Sequence, residues 1–287
     1  MSSQGADTGG RSTIVDLLVG MCGAATSLCT AGILWWIEAE SGVALYSWMI
    51  FFILPIGALF SGLAGASGYY VGARLLNHRP TPLLCLNIVL ASVGTFFALH
   101  YFSYVTLEVE GKNVSDYISF GTYLDTVIRS TSMRFSVRGR TISSTGELGG
   151  GGYEIALLQN LGFAAGGFAV YTFLVSIPYC QRCSRYFSAK GKQTRYTSDP
   201  KALEMSAVQL AAGFEAGSVA SAVDEHGRFG TAKPRNGDFL RSIINIRNCK
   251  RCGRHWAKFI VEKKNSKDWD EISELSIHVF TDQVVDV

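Results

Sequence analysis

The chain has 287 residues, of which 48% are hydrophobic and 17% charged, with a net charge of +3 and a mean hydropathy of +0.20. Soluble domains run nearer a quarter charged, so this composition excludes an ordinary soluble globule. The shortage of charge is local: residues 12–178 hold long uncharged apolar runs, whereas the segment after Cys180 is rich in Lys and Arg.

Four stretches, residues 13–37, 45–76, 82–104 and 155–179, reach the roughly 20 apolar residues that cross a hydrocarbon core of about 30 Å. They predict a mainly α membrane protein with a four-transmembrane-helix bundle in residues 1–179. The first stretch is longer than the roughly 7–15 apolar residues of a signal peptide, and Trp35-Trp36-Ile37-Glu38 is a poor cleavage context, so it reads as a retained helix. In the second stretch Pro55 predicts a kink, because proline removes a backbone donor and crowds the preceding turn. The same stretch carries Ala64, Gly68 and Gly72 at four-residue spacing, and the fourth stretch carries Gly162 and Gly166. Small residues so spaced let helix backbones approach closely, here within one bundle. No predicted helix centre holds a charge, which argues against a proton-coupled transporter. Asp16 lies near the start of the first helix, and His100 near the outer end of the third is expected at the interface.

Positive charge near helix ends sets orientation. Arg11 precedes the first helix; Arg74, His78 and Arg79 fill the link between the second and third; Arg182, Arg185, Lys190, Lys192 and Arg195 follow the fourth. The link between the first two helices holds only Glu38 and Glu40. Both termini are therefore expected in the cytoplasm of a cell (inner) membrane protein, with Trp35, Trp36, Tyr46 and Trp48 forming an outer aromatic belt. The outer loop, residues 105–154, reads as an α/β segment. Ser115 is placed to cap a helix over residues 116–129 with Tyr117, Ile118, Gly121, Leu124 and Ile128 on one face. Met133, Phe135 and Val137 then alternate with polar residues toward a turn at Arg138-Gly139, and Gly149 to Gly152 read as a flexible hinge. Asn113-Val114-Ser115 is a glycosylation sequon on that side, of consequence only in a secretory pathway.

Of seven cysteines, Cys22, Cys29 and Cys85 fall in predicted membrane helices, where a thiol serves as a small apolar group. The other four form Cys180-Gln-Arg-Cys183-Ser-Arg-Tyr-Phe and Cys249-Lys-Arg-Cys252-Gly-Arg-His-Trp. Both halves read Cys-x-Arg-Cys-x-Arg followed by two rings, a pseudo-symmetry suited to two knuckles on one metal. Gly253 suits the tight turn after the second. Residues 240–247 and 256–263 alternate into and out of the second knuckle, and Leu275, Ile277 and Val279 suggest a third strand. These features resemble a zinc ribbon, which implies that Cys180, Cys183, Cys249 and Cys252 hold zinc within a small α+β cytoplasmic domain over residues 180–287. The 65 residues between the knuckles exceed common ribbon spacing and predict an insertion, residues 199–238. In it Asp199-Pro200 starts a helix that runs over 202–223, weakened by Gly213 and Gly217. Little apolar sequence is evident to fold this domain without the metal.

Arg182, Arg185, Lys250, Arg251 and Arg254 offset the −2 charge of a four-thiolate zinc, or face anionic lipid or a partner. Nucleic acid is not the expected partner, and His226 and His255 are not needed as ligands. No catalytic constellation stands out. The leading expectation is a non-enzymatic membrane protein whose zinc module binds a partner, scaffolds or senses, with the lipid bilayer and a protein partner or a second copy as its contacts. One alternative is a membrane thiol–disulfide oxidoreductase, disfavoured because the cysteines fall on the reducing side. Another is a small oligomeric channel or transporter.

Overall fold

The computed structural model describes residues 8–281 except 52, 138, 139, 217, 266, 267, 274 and 275. The expected turn at Arg138-Gly139, together with Gly217 and Leu275, lies outside the described residues. The chain divides into two units, Met1–Ser176 and Ile177–Val287.

The first unit is built from α1 (Thr8–Ser41), α2 (Ile56–Leu75), α3 (Pro82–Thr106), α4 (Phe120–Ser130) and α5 (Gly152–Val175). Among the described residues three helical segments, Ile14–Ser41, Pro82–Thr106 and Gly149–Val175, are long and apolar enough to cross a membrane. α2 is not among them: more than half of its twenty residues are Gly, Ala or Ser, which add little hydropathy. Nor does it begin at residue 45. Residues 42–55 are non-helical apart from one 3₁₀ turn, Leu45–Ser47, and Pro55 stands immediately before α2 instead of kinking it. A proline just ahead of a helix forfeits no helical hydrogen bond, and it biases the residue before it away from helical geometry. The same bias, from Pro178, ends α5 at Val175 short of the expected 179. α3 starts where its sequence says: the Thr81 hydroxyl accepts the Leu84 N–H at 3.1 Å, with Pro82 in the first turn.

Helix packing in this unit is a matter of backbone on backbone. A Cβ on Gly68 would overlap the Cys22 carbonyl and the Thr26 hydroxyl, and one on Gly72 would press on Cys22 and Val19. The Thr26 hydroxyl donates to the Gly65 carbonyl at 2.7 Å and accepts from the Gly68 N–H at 3.0 Å. On the other side of α2, Gly62 lies over the Phe163 backbone, Gly162 against Ala58 and Pro55, and Gly166 over the Leu59 carbonyl. Ala64, by contrast, is exposed. The buried stripe of α2 runs through Gly65, Gly68 and Gly72, mixing spacings of three and four as a 3.6-residue period requires.

At the end of the bundle that holds the α1–α2 link, Ala31, Tyr46, Ala58, Phe96, Leu99, Ile128, Ala156 and Phe163 form one apolar cluster. Tyr46 is thus core and not belt. His100, expected at the interface, is buried edge-on to Phe96 at 4.6 Å and to Tyr46 at 5.9 Å. At the opposite end His78 Nε2 lies 3.0 Å from Asp16 Oδ1. The segment between α3 and α5 folds as a short hairpin, β1 (Glu108–Val109) with β2 (Lys112–Asn113), then a 3₁₀ turn Val114–Asp116, α4, and a second antiparallel pair, β3 (Ser132–Val137) with β4 (Arg140–Glu147). α4 begins later than residue 116 because Ser119, not Ser115, supplies the cap by accepting the Thr122 N–H. The glycines before α5 are no hinge either: Gly149–Gly151 form a 3₁₀ turn continuous with α5, and Gly152 is pressed onto the Ile128 carbonyl.

The second unit is a sheet with one helical cover. β7 (Ser188–Thr197), β8 (Leu240–Asn248) and β9 (His255–Lys264) pair antiparallel in that order, and β9 also carries β10 (Trp269–Glu271) and β11 (Ile277–Thr281). A separate short hairpin joins β5 (Tyr179–Cys180) to β6 (Arg185–Tyr186). The inserted segment forms two helices, α6 (Pro200–Glu215) and α7 (Val219–Arg228), where one over 202–223 was expected. Asp199 Oδ1 caps α6 by accepting the Lys201 N–H at 2.9 Å, and Gly213 leaves room for Ala222 of α7 to come close. Ten buried residues, among them Leu203, Leu210, Ile244, Phe259 and Val261, make an apolar core between these helices and the sheet. The expectation that this domain lacks apolar material is therefore corrected. α6 and β8–β9 supply a core with no cysteine in it, and the short periods of each element kept it from standing out as a run.

Gly68→Ala should cost about 1–3 kcal/mol of stability in detergent, as overpacking against a fixed backbone does. Gly94→Ala, on an exposed face of α3 with nothing within 4 Å, should cost nothing and gain about 0.5–1 kcal/mol from the lower backbone entropy of alanine. Thermal unfolding of the two variants side by side checks this.

Candidate metal centre

Two hairpin ends carry the four cysteines. In the first, Cys180 pairs with Arg185 across β5–β6, and the Phe187 N–H donates to the Pro178 carbonyl at 3.1 Å. In the second, Asn248 pairs with His255 across β8–β9; the Cys249 N–H donates to the Arg254 carbonyl at 2.8 Å and the Gly253 N–H to the Cys249 carbonyl at 2.9 Å. The residue after the second cysteine is left-handed in both, Ser184 at φ +50° and Gly253 at φ +72°. Of the two turn residues, only the glycine was expected from the sequence. The repeated motif itself was the signal, since Ser184 and Gly253 hold the same place in it.

What closes the 65-residue gap is β7, a strand not expected from the sequence. It leaves the first hairpin and pairs with β8 as β8 enters the second, Ser188 opposite Asn248 and Thr197 opposite Leu240. Residues 189–192 are exposed, so β7 lacks the apolar alternation that marks β8 and β9. The pairing brings the four Sγ atoms of Cys180, Cys183, Cys249 and Cys252 within 4.8 Å of one another, with Cys180 and Cys252 at 3.7 Å. Cys180 and Cys249 are buried, Cys183 and Cys252 half-buried, and Phe187 and Trp256 pack against the group from equivalent positions of the two motifs.

The thiols influence one another's protons. Hydrogen bonding to Cys252 and burial push the Cys183 thiol up to about 12. Burial pushes Cys180 up as well. Burial opposes ionisation of Cys252 too, yet the Arg254 backbone N–H and the neighbouring thiols hold it at about 7. A thiolate is thus favoured at Cys252 and disfavoured at Cys180 and Cys183, and a bound cation would favour the thiolate form of the group.

Arg182, Arg185, Lys250 and Arg251 are exposed around the group and Arg254 is half-buried. Neither His226 nor His255 joins the converging set. His226 is buried against the sheet, its Nε2 2.8 Å from the Ser242 hydroxyl and its Nδ1 3.4 Å from Gln193 Oε1. Burial, and then the nearby Arg195 charge, lowers its pKa to about 4. His255 is buried beside the knuckle, and neither of its ring nitrogens has a hydrogen-bond partner among the described residues. Comparison with protein-family models, with curated proteins and with solved structures found no match.

A non-glycine residue held left-handed carries a steric cost of roughly 1–2 kcal/mol. Ser184→Gly should therefore stabilise the protein by about 1 kcal/mol, read as a raised denaturation midpoint, while Gly253→Ser should lower it by a similar amount.

Proposed function

We propose that this chain is a multi-pass membrane protein whose second unit is organised by one zinc ion on Cys180, Cys183, Cys249 and Cys252, and that this unit serves as a non-catalytic module for partner binding or sensing. The mutual approach of four sulfurs within 4.8 Å carries the reading. Four thiolates fill a tetrahedral zinc site and leave no position for water or substrate, which is the pattern of a structural centre. Arg182, Arg185, Lys250, Arg251 and Arg254 then offset its charge, and the exposed four offer a basic face to anionic lipid or a protein partner. Convergence of all four thiols into one group favours this over a thiol–disulfide oxidoreductase, which works through separate dithiol pairs.

α2 completes the bundle as a fourth span in this reading. Its small residues seat it between α1 and α5, and no charged residue occurs between Glu40 and Arg74. Four spans, together with the distribution of Lys and Arg, favour a reading in which both termini lie on the cytoplasmic side of the cell (inner) membrane. The His78–Asp16 pair supports this, since it puts the start of α1 and the α2–α3 link at one end of the bundle.

Metal analysis of the purified full chain should find one zinc per chain, and any single Cys→Ser change among the four should lower that occupancy at least about tenfold. Cys22→Ser, Cys29→Ser and Cys85→Ser should leave it unchanged. Occupancy should fall as pH drops below 7, because protons then compete for the thiolates. Chelation should open residues 178–187 and 249–256 to protease while the α6–sheet core stays resistant. An inert metal content with rapid dithiol turnover would sink the zinc reading in favour of the oxidoreductase.

The orientation is tested separately. A reporter fused after Val287 should be active in the cytoplasm and one inserted at Gly146 outside; labelling of the Gly146 site by an impermeant reagent only after lysis would overturn it.

A further inference from the structure

The link from α1 to α2 is more apolar than a loop has reason to be. Gly42, left-handed at φ +66°, ends α1 with its N–H donating to the Glu38 carbonyl at 2.8 Å. After the 3₁₀ turn the chain makes a tight reversal in which Ile50 and Leu54 each donate to the other's carbonyl, at 2.9 and 3.1 Å. Phe51 sits at its tip with φ +51°, and the Gly57 N–H reaches back to the Trp48 carbonyl at 3.0 Å. Trp48, Ile50, Phe51, Ile53 and Leu54 are 60%, 46%, 85%, 74% and 52% exposed. Soluble proteins seldom present so many large apolar side chains together.

The register of α1 against α2 fixes the depth of this loop. Val19 meets Gly72, Cys22 meets Gly68 and Ser27 meets Gly65, so the helices run antiparallel and Ile56 comes level with Trp35 and Trp36. Trp36 is itself 58% exposed. Twenty residues of helix span about 30 Å, the thickness of a hydrocarbon core. A loop that leaves the top of α2 at the level of an exposed tryptophan therefore stands where acyl chains give way to headgroups. We infer that Trp48, Ile50, Phe51, Ile53 and Leu54 insert into the leaflet at this end of the bundle and anchor the α1–α2 corner in lipid.

Two features select lipid over a second copy or another protein. The reversal closes two hydrogen bonds on itself, which lowers the cost of placing non-helical backbone against lipid. The absence of charge from residue 41 to residue 73 leaves nothing to specify a protein partner, whereas acyl chains need no such specification.

The inference rests on reading α1 and α2 as membrane spans, and the test keeps the two apart. The full chain is reconstituted in phosphatidylcholine vesicles, with and without bromine on the acyl chains, and tryptophan fluorescence of the native protein is compared with that of Trp48→Phe. The emission lost with Trp48, taken as the difference between the two proteins, should be quenched by brominated lipid and shielded from aqueous iodide. Replacing Phe51 and Ile53 by Asp should reduce that quenching by about twofold or more. Leu90→Trp, on the exposed face of α3, serves as the reference and should be quenched throughout. Quenching at position 90 but not of Trp48 overturns the loop inference: iodide access then means the loop lies in water, and shielding from both quenchers means protein covers it. No quenching at either position overturns the spanning reading and the loop inference with it.

Discussion

The pairing of β7 with β8 is the constraint on which the second unit depends. Cys180 and Cys183 are 65 residues of chain away from Cys249 and Cys252. Bringing them together carries a loop-closure cost that grows with the logarithm of loop length. The ladder from Ser188–Asn248 to Thr197–Leu240 meets that cost with backbone hydrogen bonds, so the thiol group inherits a frame already closed. The cysteines then sit at the frame's end, with a core of their own made by Phe187 and Trp256. A metal bound in such a place would lock a corner; it would not have to assemble the fold from a disordered chain.

That division of labour follows from where the apolar residues lie. β8 and β9 bury Leu240, Ile244, Ile246, Ala257, Phe259 and Val261 under Leu203, Ala207 and Leu210 of α6. α7 adds Ala222 and, with His226, a polar contact to Ser242 inside the same layer. A buried imidazole that keeps a hydroxyl partner and stays neutral satisfies both groups and fixes how α7 lies on the sheet. The insertion between the knuckles is thus the cover of the sheet, and its length follows from that task.

Legibility in the sequence tracked how far each feature depends on neighbours in the chain. The apolar length of α1, α3 and α5, the Asp199 cap and the twin Cys-x-x-Cys motifs are local and could be read directly. The start of α2 could not, because an unbroken apolar run hides whether residues 42–55 are helix or loop, although Pro55 was a boundary signal that the kink reading misused. Ser119 outcompeted Ser115 as a cap, and His100 turned inward, for reasons of tertiary packing that no spacing reveals. β7 went unseen since an edge strand owes its place to its partner's backbone and not to its own side chains. Ser184 was hidden for a related reason: a left-handed serine has no local signature, and only its match to Gly253 in the repeated motif exposes it.

The two units answer the same demand by different means. Every backbone N–H and C=O removed from water must find a partner, and in the first unit the helices satisfy their own. That leaves side chains free to be as small as packing allows, which is why Gly62, Gly65, Gly68, Gly166 and Gly167 can bring main chains together and why Thr26 can spend its hydroxyl on a neighbouring helix. In the second unit the sheet needs partners strand by strand, so its contacts come from long-range pairing and its side chains must be large enough to fill the space beneath α6. The damaging change therefore differs between the two: enlarging a small residue forces backbones apart in the bundle, while loss of volume at Phe259 or Leu203 leaves a cavity in the sheet layer.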